Sequence, residues 1–315
     1  MASSSSTLFF YAAAPLHITR PTPPARLCHS ALNFSGKCIL YNQTCLFHTE
    51  KSTGRVLCSK VQFEDNVVGD NDDDEACELV NGAEIVIEDG EESIHAYLLK
   101  AIKNNNGTGL LLLSDVFGFE DSATRDFAYR VACSGYNVLV PDMFRGNPRK
   151  IDQPMTDFEQ WLAKQPPERI ARDINMAAKW LADEFTAAGF SNKLGIIGFC
   201  YGGGCLINTL AQDKQGIFGT GVCFYGTRID TSVAKDIKVP VLFVCGDGDH
   251  LCPVSQLREL EKIIKGSKMV IYNGRGHGFA HRPGSLEEDE DAEDAFGLMR
   301  SWLNDSLVLS KDLVH

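Results

Sequence analysis

Short apolar runs of strand character alternate with amphipathic helical segments from Leu79 onward, and this alternation leaves the chain few architectures to choose from. Residues 109–114, 137–140, 194–198, 219–224, 239–245 and 268–272 read as strands buried on both faces. Residues 83–87 and 95–101 read as opening strands, joined by a hairpin around Asp89-Gly90. Between the strands, Thr124, Phe127, Ala128 and Val131 recur at helical spacing, as do Ile170, Ile174, Ala177, Leu181 and Phe185. A last helix gathers Ala292, Ala295, Phe296, Met299, Trp302 and Leu303 on one face, behind an acidic stretch suited to a helix N-terminus. Parallel strands need crossover connections, so the pattern predicts an α/β fold: a mostly parallel, doubly wound sheet with helices on both faces. Chemistry is then expected at the carboxyl ends of the strands.

The chain has 315 residues, of which 44% are hydrophobic and 23% charged, and a formal net charge of −12. A polyanion or an anionic membrane surface would repel it, so neither nucleic acid nor membrane is an expected partner. The uncharged stretch 194–212 is broken by glycines and polar residues and does not read as a membrane span.

The first 60 residues differ in kind. They are rich in Ser, Thr, Pro and Ala, with Arg20, Arg26, Lys37, Lys51, Arg55 and Lys60 against the single acid Glu50. This composition is that of an organellar transit peptide rather than a secretory signal, which would carry positive charge ahead of its apolar core. The expected organisation is a cleaved transit peptide over 1–58, with processing near Cys58, an acidic linker over 59–78, one catalytic-sized domain over 79–305 and a tail over 306–315. The expected location is the chloroplast stroma, with the mitochondrion as the alternative, and the mature chain is expected as a monomer.

Eleven cysteines occur, four of them within the first 58 residues, and no pair has the CxxC spacing. The remaining seven lack regular spacing, which predicts reduced thiols rather than a disulfide framework. One of them stands out. Gly198-Phe-Cys200-Tyr-Gly202 joins a buried strand to a helix, in the form of a nucleophile elbow with sulfur as the nucleophile. The turn is so sharp that the residues two before and two after must be small. No Gly-Lys-Ser/Thr follows, which argues against a phosphate loop.

A nucleophile in this fold wants an acid and then a histidine, each after a later strand. The strand 239–245 leads to Asp247 and Asp249, and the strand 268–272 leads to His277 and His281, with His250 a further candidate base. These alternatives stay open on the residues alone. His277 and His281 are four apart, but the flanking glycines favour a loop and the Glu of a zinc-peptidase motif is missing, so no metal site is expected. No cofactor is expected either.

With Asp115-Val-Phe-Gly118, Val140-Pro-Asp142, Gly198-Phe-Cys-Tyr-Gly-Gly203, Gly248-Asp-His250 and Gly276-His-Gly-Phe279 in register, the chain resembles the dienelactone hydrolase (carboxymethylenebutenolidase) family over residues 79–303. The resemblance implies an α/β-hydrolase fold and cleavage of a small-molecule ester or lactone through an acyl-cysteine. It implies Cys200 as nucleophile, His277 as general base and Asp249 as the acid that orients it. It further implies the N–H groups of Val116 and Tyr201 as the oxyanion hole and Asp115 as an accessory carboxylate, where bacterial relatives carry a Glu associated with the resting cysteine. Arg145, His281 and Arg282 follow as substrate-binding residues; the two arginines each lie one position from those that hold the substrate carboxylate in the bacterial relatives. The contrasting hypothesis is a catalytically weak, hydrolase-like protein that binds a small molecule or senses redox state through Cys200.

Overall fold

A computed structural model describes residues 79–190 and 193–309. The expected transit peptide and acidic linker lie outside the described residues. The fold is an eight-stranded sheet in the order β1-β2-β4-β3-β5-β6-β7-β8. Strands β1 (Val80–Asp89) and β2 (Glu92–Ala101) pair antiparallel, and β2 pairs antiparallel with β4 (Asn137–Pro141). From β4 onward all neighbours are parallel: β3 (Gly109–Leu113), β5 (Leu194–Phe199), β6 (Phe218–Phe224), β7 (Val241–Gly246) and β8 (Lys268–Tyr272).

The central strands β3, β4, β5 and β7 are buried at every residue, because helices cover both faces of the sheet. One group comprises α1 (Ser122–Cys133) and α6 (Leu286–Leu303), joined by Phe127 against Phe296 at 5.2 Å. The other comprises α3 (Pro167–Ala187) and α4 (Tyr201–Gln212), followed by α5 (Val254–Ile263). The short α2 (Phe158–Leu162) lies in the connection between β4 and α3. This architecture is an α/β-hydrolase fold.

The hairpin falls where the sequence places it, with Gly90 at φ +65° in the left-handed region. The C-terminal boundary differs from expectation. The last helix continues as a π-helical turn over Asn304–Val308, and Leu307 is buried against the positions of Gly195 and Gly219. The packed domain therefore reaches past the expected boundary at 305, because two glycines on adjacent strands leave a depression that a leucine fills.

The chain leaves β3 for β4 on one side and returns to β5 on the other. The strand order thus reverses between β3 and β5, and a crevice opens at their carboxyl ends. Asp115 and Val116 follow β3, and Cys200 follows β5.

Candidate active site

The turn from β5 into α4 is built around Cys200, whose φ of 52° and ψ of −116° lie outside the ordinary regions for an L-residue. Its neighbours explain how the conformation is held. The Cys200 carbonyl accepts the N–H groups of Gly203 at 3.0 Å and Thr227 at 2.9 Å, and its own N–H donates to Phe224 at 3.1 Å. A Cβ on Gly198 would stand 2.5 Å from the Gly202 carbonyl oxygen, and one on Gly202 would stand 2.4 Å from that of Leu113. Both positions exclude any larger residue, for the steric reason anticipated from the sequence. The Cys200 side chain is half-buried at the N-terminal end of α4, where the partial positive charge of the helix favours an anion.

The acid and the histidine arrive from the β7 and β8 ends. Nδ1 of His277 lies 2.7 Å from Oδ2 of the buried Asp249, and Oδ1 of Asp249 accepts the N–H groups of Leu251 at 2.8 Å and Cys252 at 3.2 Å. A carboxylate so bonded only accepts, so Nδ1 of His277 carries the proton and Nε2 is left for a reacting group. Nε2 is buried and has no nitrogen or oxygen partner among the described residues; the nearby polar group is the Cys200 thiol. Burial alone would lower the His277 pKa, but the hydrogen bond to Asp249 and the interaction with Cys200 outweigh it and push it up to about 10.

The competing acid and bases are accounted for elsewhere. Asp247 caps the β8 loop by accepting the Gly274 N–H, His250 is exposed, and His281 is buried beside Asp115. Among the described cysteines none is in a disulfide. Burial drives Cys205 and Cys223 up to about 12 and Cys245 up to about 11, so these thiols are poor nucleophiles at neutral pH.

Across the crevice, Val116 and Tyr201 each present a backbone N–H with no protein acceptor among the described residues. The Val116 loop is fixed on two sides: its carbonyl accepts the Arg149 N–H at 2.8 Å, and Oδ1 of Asp115 accepts the Phe117 N–H at 2.9 Å.

The expected substrate-binding residues are arranged differently from the expectation. His281 is corrected outright: its side chain is only 1% exposed, with Nε2 3.1 Å from Oδ2 of Asp115 and Nδ1 bonded to the Tyr225 hydroxyl. It has no free edge for a substrate. Arg145 grips the buried Asp173 through Nε at 3.0 Å and Nη2 at 2.7 Å, and reaches Glu92 at 2.6 Å. Arg282 binds Asp115 at 2.9 Å and Asp121 at 2.6 Å. Neither guanidinium is an open carboxylate clamp, because acids distant in sequence already hold Nε and Nη2 of each. Asp115 likewise turns to His281 and Arg282 rather than to Cys200, and these partners outweigh its burial and hold it below the ordinary carboxylate range.

Tyr225 is the residue that sequence reasoning missed. It follows β6 at φ 37°, is fully buried, and sets its ring edge-on to that of His277 at 5.1 Å. A cavity of about 300 Å³ lies between α3 and α4, lined by Ile170, Ile174, Tyr201, Cys205, Asn208 and Arg228. It borders Tyr201 but includes neither Cys200 nor His277 in its wall, so the reactive groups belong to the crevice and not to this cavity.

The model of the dienelactone hydrolase family matches residues 94–307. A carboxymethylenebutenolidase homolog from Homo sapiens is 30% identical over 197 residues, covering 61% of this chain and 78% of that protein. One from Xenopus tropicalis is 29% identical over 222 residues, covering 68% and 87%. Among solved structures, a dienelactone hydrolase from Klebsiella pneumoniae superposes with a TM-score of 0.61 at 24% identity, covering 71% of this chain and 98% of that one. One from Anabaena variabilis gives 0.58 at 16% identity, covering 73% and 100%.

Proposed function

The chain belongs to the dienelactone hydrolase family, and from that premise we propose that it hydrolyses a small-molecule ester or lactone by nucleophilic catalysis at Cys200. The observation that carries this reading is the orientation of His277, held at Nδ1 by Asp249 with its Nε2 side turned to the thiol on the elbow.

With its pKa raised to about 10, His277 rests as an imidazolium that holds the proton drawn from the thiol, and the Cys200 thiolate attacks the ester carbonyl carbon, forming a C–S bond while the carbonyl electrons move onto oxygen. The N–H groups of Val116 and Tyr201 bind that oxyanion. Collapse breaks the C–O bond, and the departing alkoxide takes the proton from the His277 imidazolium, leaving an acyl-cysteine. Water then loses a proton to His277 as it attacks the acyl carbon, and the C–S bond breaks to regenerate the thiolate. Asp249 keeps the ring in the required tautomer and offsets its positive charge. With a lactone the alcohol stays tethered to the acyl group until the second step.

Steady-state turnover of a chromogenic ester by Cys200→Ala tests the reading. Loss of turnover with an unchanged unfolding curve is expected, and turnover equal to the parent would remove Cys200 from the mechanism. The plastid assignment is a separate proposal resting on the basic, hydroxyl-rich first 58 residues. Import of a fluorescent protein fused to residues 1–60 tests it.

A further inference from the structure

Beneath the Cys200–His277–Asp249 group runs a second buried hydrogen-bonded chain that the mechanism does not use. His281 reaches Asp115 through Nε2 at 3.1 Å and the Tyr225 hydroxyl through Nδ1. A carboxylate only accepts, so Nε2 carries the ring proton, Nδ1 offers a lone pair, and the Tyr225 hydroxyl donates to it. Burial, opposed by the Asp115 contacts, keeps His281 below the ordinary imidazole range, which agrees with a neutral ring in this single tautomer.

The two ends of the chain meet the two halves of the site. At one end the Tyr225 ring stands 5.1 Å from that of His277, and its backbone sits in the left-handed region, which a bulky residue keeps only where its surroundings enforce it. At the other end Asp115 accepts the Phe117 N–H and so shapes the turn whose middle residue, Val116, carries an oxyanion donor. His281 itself is stacked on Phe199 of β5 at 4.4 Å, immediately before the nucleophile. Residues 115, 225 and 281 thus cross-link the ends of β3 and β6 and the loop after β8.

We propose that Tyr225 and His281 are positioning residues for this hydrolase: acting through Asp115, they hold the Val116 N–H where the oxyanion of the acyl-transfer intermediate forms. The inference rests on the Cys200 reading above. Arg282 also binds Asp115, at 2.9 Å, so removing one bond of the chain leaves the carboxylate paired and the loop folded. What is lost is the second constraint on its direction.

Two variants test this, Tyr225→Phe, which removes only a hydroxyl, and His281→Gln, which keeps an N–H for Asp115. Each is assayed for kcat and KM with an uncharged phenyl ester and for the rate at which iodoacetamide alkylates Cys200, read on the Cys200 peptide by mass spectrometry. Alkylation needs the thiolate but develops no oxyanion. The expected result is a kcat lower by about ten- to a hundredfold, short of the ~100- to 1,000-fold for complete loss of an oxyanion donor. KM and the alkylation rate are expected to stay within about twofold of the parent, the split that marks an interaction made only in the transition state. A kcat within about twofold of the parent in both variants overturns the proposal, as does a loss confined to KM. A parallel fall of kcat and alkylation also overturns it, since the residues would then act on the thiolate. A parent that turns over no ester, or a Cys200→Ala variant as active as the parent, instead sinks the Cys200 reading.

Discussion

Nδ1 of His277 lies 2.7 Å from Oδ2 of Asp249, although 28 residues separate them in the chain. The carboxylate is buried and takes two further backbone N–H bonds, from Leu251 and Cys252, so it cannot turn away from the ring. This fixed bond makes one face of the imidazole available to Cys200 and ties the chemistry to a single tautomer.

Replacing that acid therefore changes the tautomer without emptying the site. Asp249→Asn is expected to lower kcat by about 10³- to 10⁴-fold with little change in KM, the scale typical for loss of a triad acid. Asp247→Asn, which touches only the Gly274 N–H, is expected to lower it by less than about tenfold. Equal effects would mean that Asp249 has no special role.

The pH dependence follows from the imidazole value of about 10 in the folded protein against an ordinary 6.5. A raised folded value means that the stabilisation from this pair is fully present below about pH 6.5 and fades as pH climbs through about 10. Denaturant unfolding at pH 7, 9 and 10.5 is expected to reveal a decline that His277→Gln lacks. In turnover, the alkaline loss is expected to be steeper for an alkyl ester than for a nitrophenyl ester, whose leaving group departs without a proton. Identical alkaline limbs would contradict proton donation by His277.

The elbow gives a stability prediction. Gly202→Ala places a Cβ 2.4 Å from the Leu113 carbonyl oxygen, a backbone atom of the neighbouring strand that cannot step aside. A loss of about 1–3 kcal/mol is expected from overpacking, measured as a shift in denaturant midpoint at constant m-value. Gly297→Ala, with nothing within 4 Å of the added Cβ, is the control and is expected to be neutral or slightly stabilising.

Because Asp173 and Glu92 hold Arg145, and Asp115 and Asp121 hold Arg282, neither offers a carboxylate receptor. Kcat/KM for p-nitrophenyl butyrate is accordingly expected to equal or exceed that for mono-p-nitrophenyl succinate at low ionic strength. A preference of tenfold or more (about 1.4 kcal/mol) for the anionic ester would require one of these ion pairs to open on binding.

Much of this was legible in the sequence, for physical reasons that differ from residue to residue. Strands such as Val241–Gly246 announce themselves because a strand covered on both faces must be apolar throughout. The opening strand begins earlier than expected, at Val80, because Asn81 and Gly82 are held by pairing with Lys100 and Leu99 and not by burial. Helix α5 was not read from the sequence, although Pro253 and the apolar positions 254, 257 and 260 carry its signal, because its short amphipathic stretch follows the more conspicuous acid loop. Cys200 and Gly202 were visible because local sterics dictate them. Tyr225 was not, since a tyrosine after a strand carries no local signal and its partner His281 lies 56 residues away. The same holds for Arg145 and Arg282: a charged residue in sequence does not disclose which distant acid will neutralise it.

The most direct test of the central claim is the mass of the protein quenched in acid within the first turnovers of a slowly deacylated ester. The account predicts an adduct of acyl mass on the peptide containing Cys200, absent from Cys200→Ala, and discharged by hydroxylamine as a thioester is. Rapid product release with no acyl adduct, or an adduct on another residue that persists in Cys200→Ala, would contradict it.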